Sequence, residues 1–306
     1  MSKRLLLIVN PCSGKAKMKT ELLKVVQIFS DADYDVTVYP TKSRGDATVR
    51  TRQLHEGDYD LVVVCGGDGT LNETITGFME AGIKTKLGYI PAGTLNEWSS
   101  GLGISRNILA AAKDIVDGNE ITLDMGKFGD KYFCYTASFG AFTAVSYSTG
   151  QEIKNVLGQA AYFFEGIKEL ANIKPIHLRL ECEEKTVEGD FLFGAISNSM
   201  SIGSIVKFNE ATVKLNDGYF EVLLVKKPDN IIKLQPIIDG ILRQDFNREG
   251  LEFFHTKSIT VIGGGGLSWT LDGEYAEGAM ETKIENINNA VRLVLPKMEE
   301  NKIIEK

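Results

Sequence analysis

The chain has 306 residues, of which 43% are hydrophobic and 25% are charged, and its formal net charge is -7. This composition is typical of a globular protein, and the length suits two domains better than one. The negative net charge argues against a nucleic-acid-binding protein and against tight docking on anionic lipid. No apolar run approaches the roughly 20 residues that a membrane-spanning helix needs, so we expect a cytoplasmic protein.

The first 125 or so residues alternate the patterns of strands and helices. Strands are predicted at Leu5 to Val9, Val36 to Tyr39, Leu61 to Cys65 and Leu87 to Ile90. Helices are predicted in the segment after Lys15, at Leu71 to Ala81 and at Ile108 to Val116. This alternation indicates a doubly wound parallel sheet with helices on both faces, and we assign residues 1–125 to a nucleotide-binding α/β domain.

The pattern changes after about Ile121. Strands are predicted at 131–139, 175–182, 190–197, 219–226, 257–262 and 267–271. Helices interrupt them near 153–172 and 229–243. Because most of these strands follow one another directly, an antiparallel β-sandwich is the natural interpretation, and residues 126–306 form the second predicted domain.

Polar or glycine-rich residues follow three of the strands predicted in the first domain. These loops are Asn10-Pro11-Cys12-Ser13-Gly14-Lys15, Gly66-Gly67-Asp68-Gly69-Thr70-Leu71-Asn72-Glu73 and Pro91-Ala92-Gly93-Thr94-Leu95-Asn96-Glu97. Ligands of an open α/β sheet bind outside the carboxyl ends of its strands, so the three loops should border one cleft. The first loop precedes a helix and can offer backbone N–H groups to an anion, but it lacks the upstream glycine of a Walker A loop.

The second loop carries the most information. Its three glycines permit positive φ and a close approach of the backbone to a ligand. Asp68 precedes the predicted helix and would repel bare phosphate unless a cation lay between them, which favours Mg2+ with a polyphosphate. The alternative is a tight turn in which Asp68 is the helix N-cap. Because Asn72 occupies the place of a third glycine, the dinucleotide-binding fingerprint is not matched.

Two acidic turns lie in the second half of the chain. Asp217-Gly218 opens a predicted strand, and Asp272-Gly273-Glu274 follows another. Asp-Gly is common in hairpin turns, so chain reversal alone can explain each of them. The second turn, however, places two carboxylates two residues apart near a tryptophan, which suits a general base with a partner.

Taken in order, these segments resemble the bacterial diacylglycerol kinase family of soluble lipid kinases. The resemblance runs from Asn10 to Glu274 and includes the segment from Val145 to Tyr162. Each motif is common alone, but the ordered set is specific. The resemblance implies an NAD-kinase-like fold with ATP between an α/β domain and a β-sandwich, and a last strand or tail that returns to the first domain. The helix predicted at 153–172 is then either a core helix or a surface for acyl chains.

The resemblance also implies roles for individual residues. ATP would contact Asn10, Pro11, Cys12, Ser13, Gly14, Thr41, Gly67, Asp68, Gly69, Thr70, Leu71, Asn72, Glu73 and Thr94. A structural Mg2+ would be held by main-chain oxygens of Lys214 and Tyr219 and by the carboxylate of Asp217. Asp68 would belong to the network around the catalytic Mg2+. The proton acceptor would be Glu274, beside Asp272, and the residues alone do not choose between these two.

The implied activity is the ATP- and Mg2+-dependent phosphorylation of diacylglycerol, or a related glycerolipid, to phosphatidic acid. We expect the protein to meet its lipid transiently at a membrane surface, and a homodimer is left open. One residue departs from the family pattern, because Glu97 stands where Asp is usual. The alternatives are an NAD kinase, which shares the Gly-Gly-Asp-Gly-Thr segment, and a nucleotide- or lipid-binding protein without catalysis. The first loop and the Leu-Asp-Gly-Glu turn favour the lipid kinase.

Overall fold

A computed structural model describes residues 2–13, 17–94, 96–140, 174–202, 206–208, 213–230 and 233–297. Contacts divide the chain into two compact units, of which unit 1 is Met1–Leu123 with Asn289–Lys306 and unit 2 is Asp124–Asn288. The helix predicted at 153–172 and the segment from Val145 to Tyr162 lie outside the described residues. The predicted roles of 1–125 in nucleotide binding and of 126–306 in substrate and metal binding stay predictions.

The elements follow one another along the chain as listed here by unit. Unit 1 contains β1 (Lys3–Val9), α1 (Lys17–Asp31), β2 (Tyr34–Pro40), α2 (Asp46–Arg52), β3 (Leu61–Gly66), α3 (Asp68–Ala81), β4 (Lys86–Pro91), α4 (Glu97–Gly101) and α5 (Ile108–Asp117). Strand β5 (Asn119–Phe128) passes from unit 1 into unit 2. Unit 2 continues with β6 (Lys131–Phe133), β7 (Thr136–Gly140), β8 (Ile176–Glu181), β9 (Thr186–Ser197), β10 (Ser201–Ile202), β11 (Val206–Lys207), β12 (Phe220–Lys226), α6 (Leu234–Arg243), β13 (Leu251–Thr256), β14 (Ser258–Ile262), β15 (Ser268–Leu271), β16 (Glu274–Glu277) and β17 (Glu281–Leu295).

The sheet of unit 1 is parallel. Its order is β4-β3-β1-β2, and the end of β17 continues it beside β4, where Leu293 pairs with Leu87. Strand β1 is an unbroken apolar run because both of its faces are covered, and Leu5 and Ile8 have no exposed surface. Helix α1 buries Val25 and Phe29, which lie four residues apart on one helical face.

Unit 2 is built from antiparallel pairs. Strand β9 pairs with β7, β8 and β12, while β14 pairs with β8 and with β17, and β15 pairs with β7 and with β16. Alternate residues of β12 enter two different apolar clusters. Val222 and Leu224 pack in a cluster with Trp269, whereas Leu223 packs in a cluster with Ile237 of α6. The predicted strand at 131–139 is two strands, β6 and β7, separated by a short break.

No helix among the described residues is both long enough and apolar enough to cross a lipid bilayer. Strand β17 changes unit along its length, because Glu281 belongs to unit 2 and Leu295 to unit 1. Asn289, the first residue of β17 in unit 1, has a left-handed φ of 50°. Asn tolerates this conformation better than most residues, so the strand can bend there without a glycine.

Candidate functional site

The first loop of unit 1 is tied to the start of α3 by Asn10. The amide nitrogen Nδ2 of Asn10 donates to Oγ1 of Thr70 at 3.0 Å, and Oδ1 accepts the N–H of Cys12 at 3.0 Å. The N–H of Ser13 donates to the carbonyl of Asn10 at 3.2 Å. Cys12 is exposed and Pro11 is half-buried. The loop with the predicted nucleotide contacts Asn10 to Ser13 is therefore bonded to Thr70 through Asn10, while Gly14 is outside the described residues.

Two of the three glycines in the second loop, Gly66 and Gly67, serve close packing rather than unusual backbone angles. Gly67 has φ of -90° and ψ of 179°, and neither Gly66 nor Gly69 has a left-handed φ, so the positive φ that these glycines permit is not used. A Cβ added to Gly66 would lie 2.7 Å from Cβ of Thr70. A Cβ on Gly69 would meet no atom within 4 Å. Gly69, at the start of α3, therefore leaves open space in front of the helix.

The third loop approaches the second through a pair of glycines. A Cβ built on Gly93 would lie 2.6 Å from Cα of Gly67. Asn96 holds this loop closed, because its Oδ1 accepts the N–H of Gly93 at 3.0 Å and its Nδ2 donates to the carbonyl of Gly93 at 2.9 Å. Asn96 is buried and has a φ of 50°. Thr94 is exposed on the same loop, whereas Asn96, which binds the loop together, was not among the predicted site residues.

We expect Gly93→Ala and Gly69→Ala to have opposite effects. The methyl group in Gly93→Ala must push the two loops apart, which should lower the free energy of unfolding by about 1–3 kcal/mol. The methyl group in Gly69→Ala enters open space in a helix and should leave stability unchanged or raise it by up to about 1 kcal/mol. If phosphate groups approach Gly69, that variant should still bind ATP more weakly. Thermal melts and ATP titrations measure both effects, and equal melting temperatures for the two variants would contradict the packing account.

Asp68 is the first residue of α3 and does not cap it. The N-cap is Gly67, and no side chain caps this helix, so the N-cap alternative for Asp68 was wrong. Its Oδ2 instead accepts the N–H of Glu97 at 2.9 Å, and its Oδ1 accepts the hydroxyl of Tyr89 at 3.3 Å. Burial raises the pKa of the Asp68 carboxyl, and these two hydrogen bonds act in the opposite direction. Asp68 thus joins the second loop to the third.

The remaining residues predicted to contact the nucleotide are bonded to, or buried against, other parts of the protein. The carboxylate of Glu73 accepts the N–H groups of Gly45, at 2.8 Å, and Ala47, at 3.3 Å, in the first turn of α2. Leu71 is 1% exposed, so only its backbone can face a ligand. The N–H of Thr41 donates to the carbonyl of Val9 at 2.8 Å, which places Thr41 where β2 ends, and Asn72 is half-buried on α3.

In unit 2, Asp272 and Gly273 form the two-residue turn between β15 and β16. Both have left-handed φ values, 49° and 86°, as a type I′ hairpin turn requires. The carboxylate of Asp272 accepts three consecutive backbone N–H groups, from Cys134, Tyr135 at 2.9 Å and Thr136 at 3.0 Å. These bonds fasten the hairpin to the start of β7.

Glu274 differs from Asp272 in its surroundings. It is the first residue of β16 and is exposed, and the neighbouring Tyr275 is 56% exposed. Because the three N–H groups occupy lone pairs of Asp272, little of that carboxylate is left to accept a substrate proton. Of the two carboxylates that the sequence left open, Glu274 is therefore the more accessible.

The turn that carries Asp217 is held by a residue that sequence reasoning missed. Asp124 is fully buried, its Oδ2 accepts the N–H of Gly218 at 2.6 Å, and its Oδ1 accepts Nδ2 of Asn288 at 2.9 Å. Asp217 itself is exposed, and its Oδ1 accepts the N–H of Tyr219 at 3.0 Å. Lys214 is also exposed at the start of this segment.

A second missed carboxylate lies two residues after Tyr219. Glu221 is fully buried in β12, and neither of its carboxylate oxygens has a hydrogen-bond partner. Burial, with the negative charges of Asp217 and Asp124, raises the pKa of Glu221 to about 8. The signal in the sequence was an acidic residue inside the otherwise apolar run Phe-Glu-Val-Leu-Leu-Val. Within the described ranges, no three His, Cys, Asp or Glu side chains are arranged to ligate one metal ion directly.

Comparisons with known proteins point to one family, and the similarity to individual relatives covers nearly the whole chain. The family model described as the diacylglycerol kinase catalytic domain matches residues 4–128. A diacylglycerol kinase of Staphylococcus epidermidis is 32% identical over 298 residues, which cover 97% of this chain and 93% of that protein. A diacylglycerol kinase of Staphylococcus aureus is 32% identical over 297 residues, with the same two coverages.

A solved structure from Bacillus anthracis str. Sterne, a provisionally assigned diacylglycerol kinase, superposes with a TM-score of 0.79 at 26% identity, covering 97% of this chain and 96% of that one. The likeness confirms the predicted fold class, an α/β part with a parallel sheet followed by an antiparallel β part. It also confirms the resemblance on which the site residues were assigned. The chain therefore belongs to the diacylglycerol kinase family of lipid kinases.

Proposed function

We propose that the protein transfers the γ-phosphoryl group of ATP to the free hydroxyl of diacylglycerol, or of a closely related glycerolipid, and forms phosphatidic acid. The observation that carries the proposal is the joining of the three strand-end loops of unit 1. Asn10 is bonded to Thr70, and Asp68 is bonded to the backbone of Glu97. The two glycine loops also approach to within packing distance at Gly67 and Gly93. Such a backbone surface at the carboxyl ends of parallel strands suits a polyphosphate.

The nucleotide phosphates would lie before the N-terminus of α3. Gly69 leaves open space there, and the first backbone N–H groups of a helix attract anions. Thr70 would then orient the first loop toward the same phosphates through Asn10. Thr94 is exposed on the third loop and offers a hydroxyl to the same ligand.

The donor atoms near Asp68 fit a hydrated Mg2+. Mg2+ prefers oxygen ligands and keeps several of its waters, and, bound with ATP, it offsets the negative charge of the β- and γ-phosphoryl oxygens. The Asp68 carboxylate is held by Glu97 and Tyr89, so it would act from a fixed position. The second proposed ion site, at Lys214, Asp217 and Tyr219, also offers oxygen donors, and the unpartnered oxygens of the nearby Glu221 suit a cation there.

Glu274 is our proposed proton acceptor. The oxygen of the lipid hydroxyl attacks the γ-phosphorus, the bond from that phosphorus to ADP breaks, and the hydroxyl proton passes to the Glu274 carboxylate. Asp272 would position Glu274, because its bonds to the start of β7 fix the hairpin turn. The exposed ring of Tyr275 offers apolar surface beside the acceptor, which suits a lipid met transiently at a membrane.

A direct comparison of two acceptors tests the proposal. Labelled ATP and Mg2+ are supplied with diacylglycerol in mixed micelles and, separately, with NAD. We expect labelled phosphatidic acid and no NADP, at a rate that depends on how the lipid is presented. NADP without labelled lipid would replace the proposal with an NAD kinase. ATP binding without turnover on any acceptor of a lipid panel would instead indicate a binding protein without catalysis.

A further inference from the structure

Tyr89 brings a phenol hydroxyl into the interior of the unit 1 sheet. The residue lies on β4, opposite Val64 of β3, and is 1% exposed. Its neighbour Gly88 faces α5, because a Cβ there would lie 2.9 Å from Cδ1 of Ile115. Alternate residues of a strand point to opposite faces, so Tyr89 points away from α5. A buried phenol hydroxyl needs a hydrogen-bond acceptor, and the acceptor has to lie on that side of the sheet.

Three oxygen atoms of the described residues lie within reach of this hydroxyl. Oδ1 of Asp68 is 3.3 Å from it, and the carbonyl oxygen of Gly66 and Oδ1 of Asn96 are each 3.4 Å from it. Gly66 ends β3, Asp68 begins α3, and Asn96 directly precedes α4. The hydroxyl therefore stands at the point where the second and third loops meet.

The hydroxyl has one proton to donate, and the surroundings of the three oxygens direct it. The carbonyl of Gly66 already accepts the N–H of Ala92 at 2.7 Å. Oδ1 of Asn96 already accepts the N–H of Gly93 at 3.0 Å. Both of these oxygens thus have a closer donor than the phenol. Because hydrogen bonds to an ionised acceptor are stronger than those to a neutral one, the carboxylate of Asp68 gains most from the proton.

The carboxylate of Asp68 is then held from two sides. Its Oδ2 accepts the N–H of Glu97, and its Oδ1 accepts the hydroxyl of Tyr89. The N–H of Glu97 moves with the loop that it belongs to, whereas the phenol stands on β4, which pairs with β3 and with the end of β17. Groups on rigid strands fix a site more closely than groups on loops, and the partners that orient a metal ligand tune its affinity for the ion.

We propose that Tyr89 is a positioning residue for the complex of Mg2+ with the nucleotide, and that its hydroxyl acts by orienting the carboxylate of Asp68. This inference rests on the proposed function, which puts Mg2+ and the ATP phosphates beside Asp68. Because Tyr89 is 1% exposed, it acts through that carboxylate rather than on the ligand itself. Loss of the hydroxyl should therefore weaken the binding of nucleotide with Mg2+ and spare the binding of nucleotide alone.

Calorimetric binding of AMPPNP, a non-hydrolysable analogue of ATP, tests the inference in Mg2+ and, separately, in EDTA. Tyr89→Phe keeps the buried ring and removes only the hydroxyl. In Mg2+ this variant should raise the Kd for AMPPNP by about 10–100-fold, the range for loss of a group that orients a metal ligand. In EDTA its Kd should match that of the wild type. A residue that only packed the two loops together would weaken binding under both conditions.

Two further substitutions supply the controls. Tyr34→Phe removes a phenol hydroxyl at the opposite end of the same sheet, because β2 begins at Tyr34, and it should bind AMPPNP like the wild type. Asp68→Ala removes the acceptor itself, so Tyr89→Phe added to it should raise the Kd in Mg2+ no further. In the lipid kinase assay, Tyr89→Phe should lower kcat and leave the KM for diacylglycerol unchanged, because the proposed acceptor of the lipid proton lies in unit 2.

Four results would overturn the inference. These are a wild-type Kd in Mg2+ for Tyr89→Phe, an equal loss of affinity in EDTA, a further loss when Tyr89→Phe is added to Asp68→Ala, and a Tyr89→Phe variant that does not fold. The binding measurements contain no lipid. Labelled phosphatidic acid from the wild type, with normal AMPPNP binding by Tyr89→Phe, would therefore sink this inference and leave the proposed function standing. A Mg2+-dependent loss in Tyr89→Phe, with no phosphatidic acid formed by the wild type, would do the reverse.

Discussion

Glu274→Gln is expected to slow the phosphorylation of diacylglycerol by about 10²–10⁴-fold, the range for loss of a general base. The amide keeps the size of the side chain but cannot take up the proton of the attacking hydroxyl. Because Glu274 is exposed at the start of β16, the substitution should leave the melting temperature unchanged. ATP affinity should also stay at the wild-type value, since the proposed nucleotide contacts lie in unit 1. Turnover within a few-fold of the wild type would move the base elsewhere.

Asp272→Asn is the matched control for Glu274→Gln. The carboxylate of Asp272 accepts three backbone N–H groups in the wild-type protein. The asparagine amide in its place would turn an NH2 group toward at least one of these donors. We expect a loss of about 1–3 kcal/mol in the free energy of unfolding together with slower turnover. A variant of wild-type stability that loses turnover completely would indicate that Asp272, rather than Glu274, is the proton acceptor.

Asp68→Asn is expected to abolish turnover while the protein stays folded. The asparagine Oδ1 can still accept the N–H of Glu97, so the link between the second and third loops survives, and only the negative charge is lost. Without that charge, the proposed site for the catalytic Mg2+ loses its ionic ligand. Turnover and melting temperature are to be measured on the same preparation, across a range of Mg2+ concentrations.

Asp68→Ala separates the two roles of this residue. It removes the charge and also the acceptor for the backbone of Glu97, so it should melt below Asp68→Asn while being equally inactive. Near-normal turnover in Asp68→Asn would remove Asp68 from the metal network. It would leave the residue only its structural role of joining α3 to the start of α4.

Strands β1, β3 and β4 of unit 1 could be predicted because burial on both faces leaves a continuous apolar run. The run from Leu61 to Cys65 is such a case, and β3 begins at Leu61 and ends one residue later, at Gly66. Helix α2 escaped prediction because its seven residues, Asp-Ala-Thr-Val-Arg-Thr-Arg, carry no apolar face. The residue pattern did not place strand β17, which only the family resemblance implied as a last strand or tail, because polar residues such as Asn286, Asn288 and Asn289 interrupt the alternation.

The site was predicted as a set of motifs, and the structure adds what binds them together. The glycine-rich loop was recognisable, but its physical reason, the close approach of Gly67 and Gly93, is a long-range contact that no local pattern reveals. The accessibility of Glu274 relative to Asp272 likewise depends on backbone N–H groups more than 130 residues away in sequence. Acidic residues in buried strands, such as Asp124 and Glu221, look like errors in an apolar pattern until their neighbours are known.

Strand β17 has a consequence for how the protein is made. Leu293, near the end of this strand, pairs with Leu87 of β4, although the whole of unit 2 lies between them in sequence. On the ribosome, β4 therefore emerges on the order of ten seconds or more before its partner, at roughly 5–20 residues per second. During that interval one edge of the unit 1 sheet has unpaired backbone groups, which can pair with another nascent chain. A gene fragment that ends near residue 125 would leave this edge uncovered permanently, so we expect it to aggregate unless the residues from Asn289 onward are supplied as a fused strand or a separate peptide.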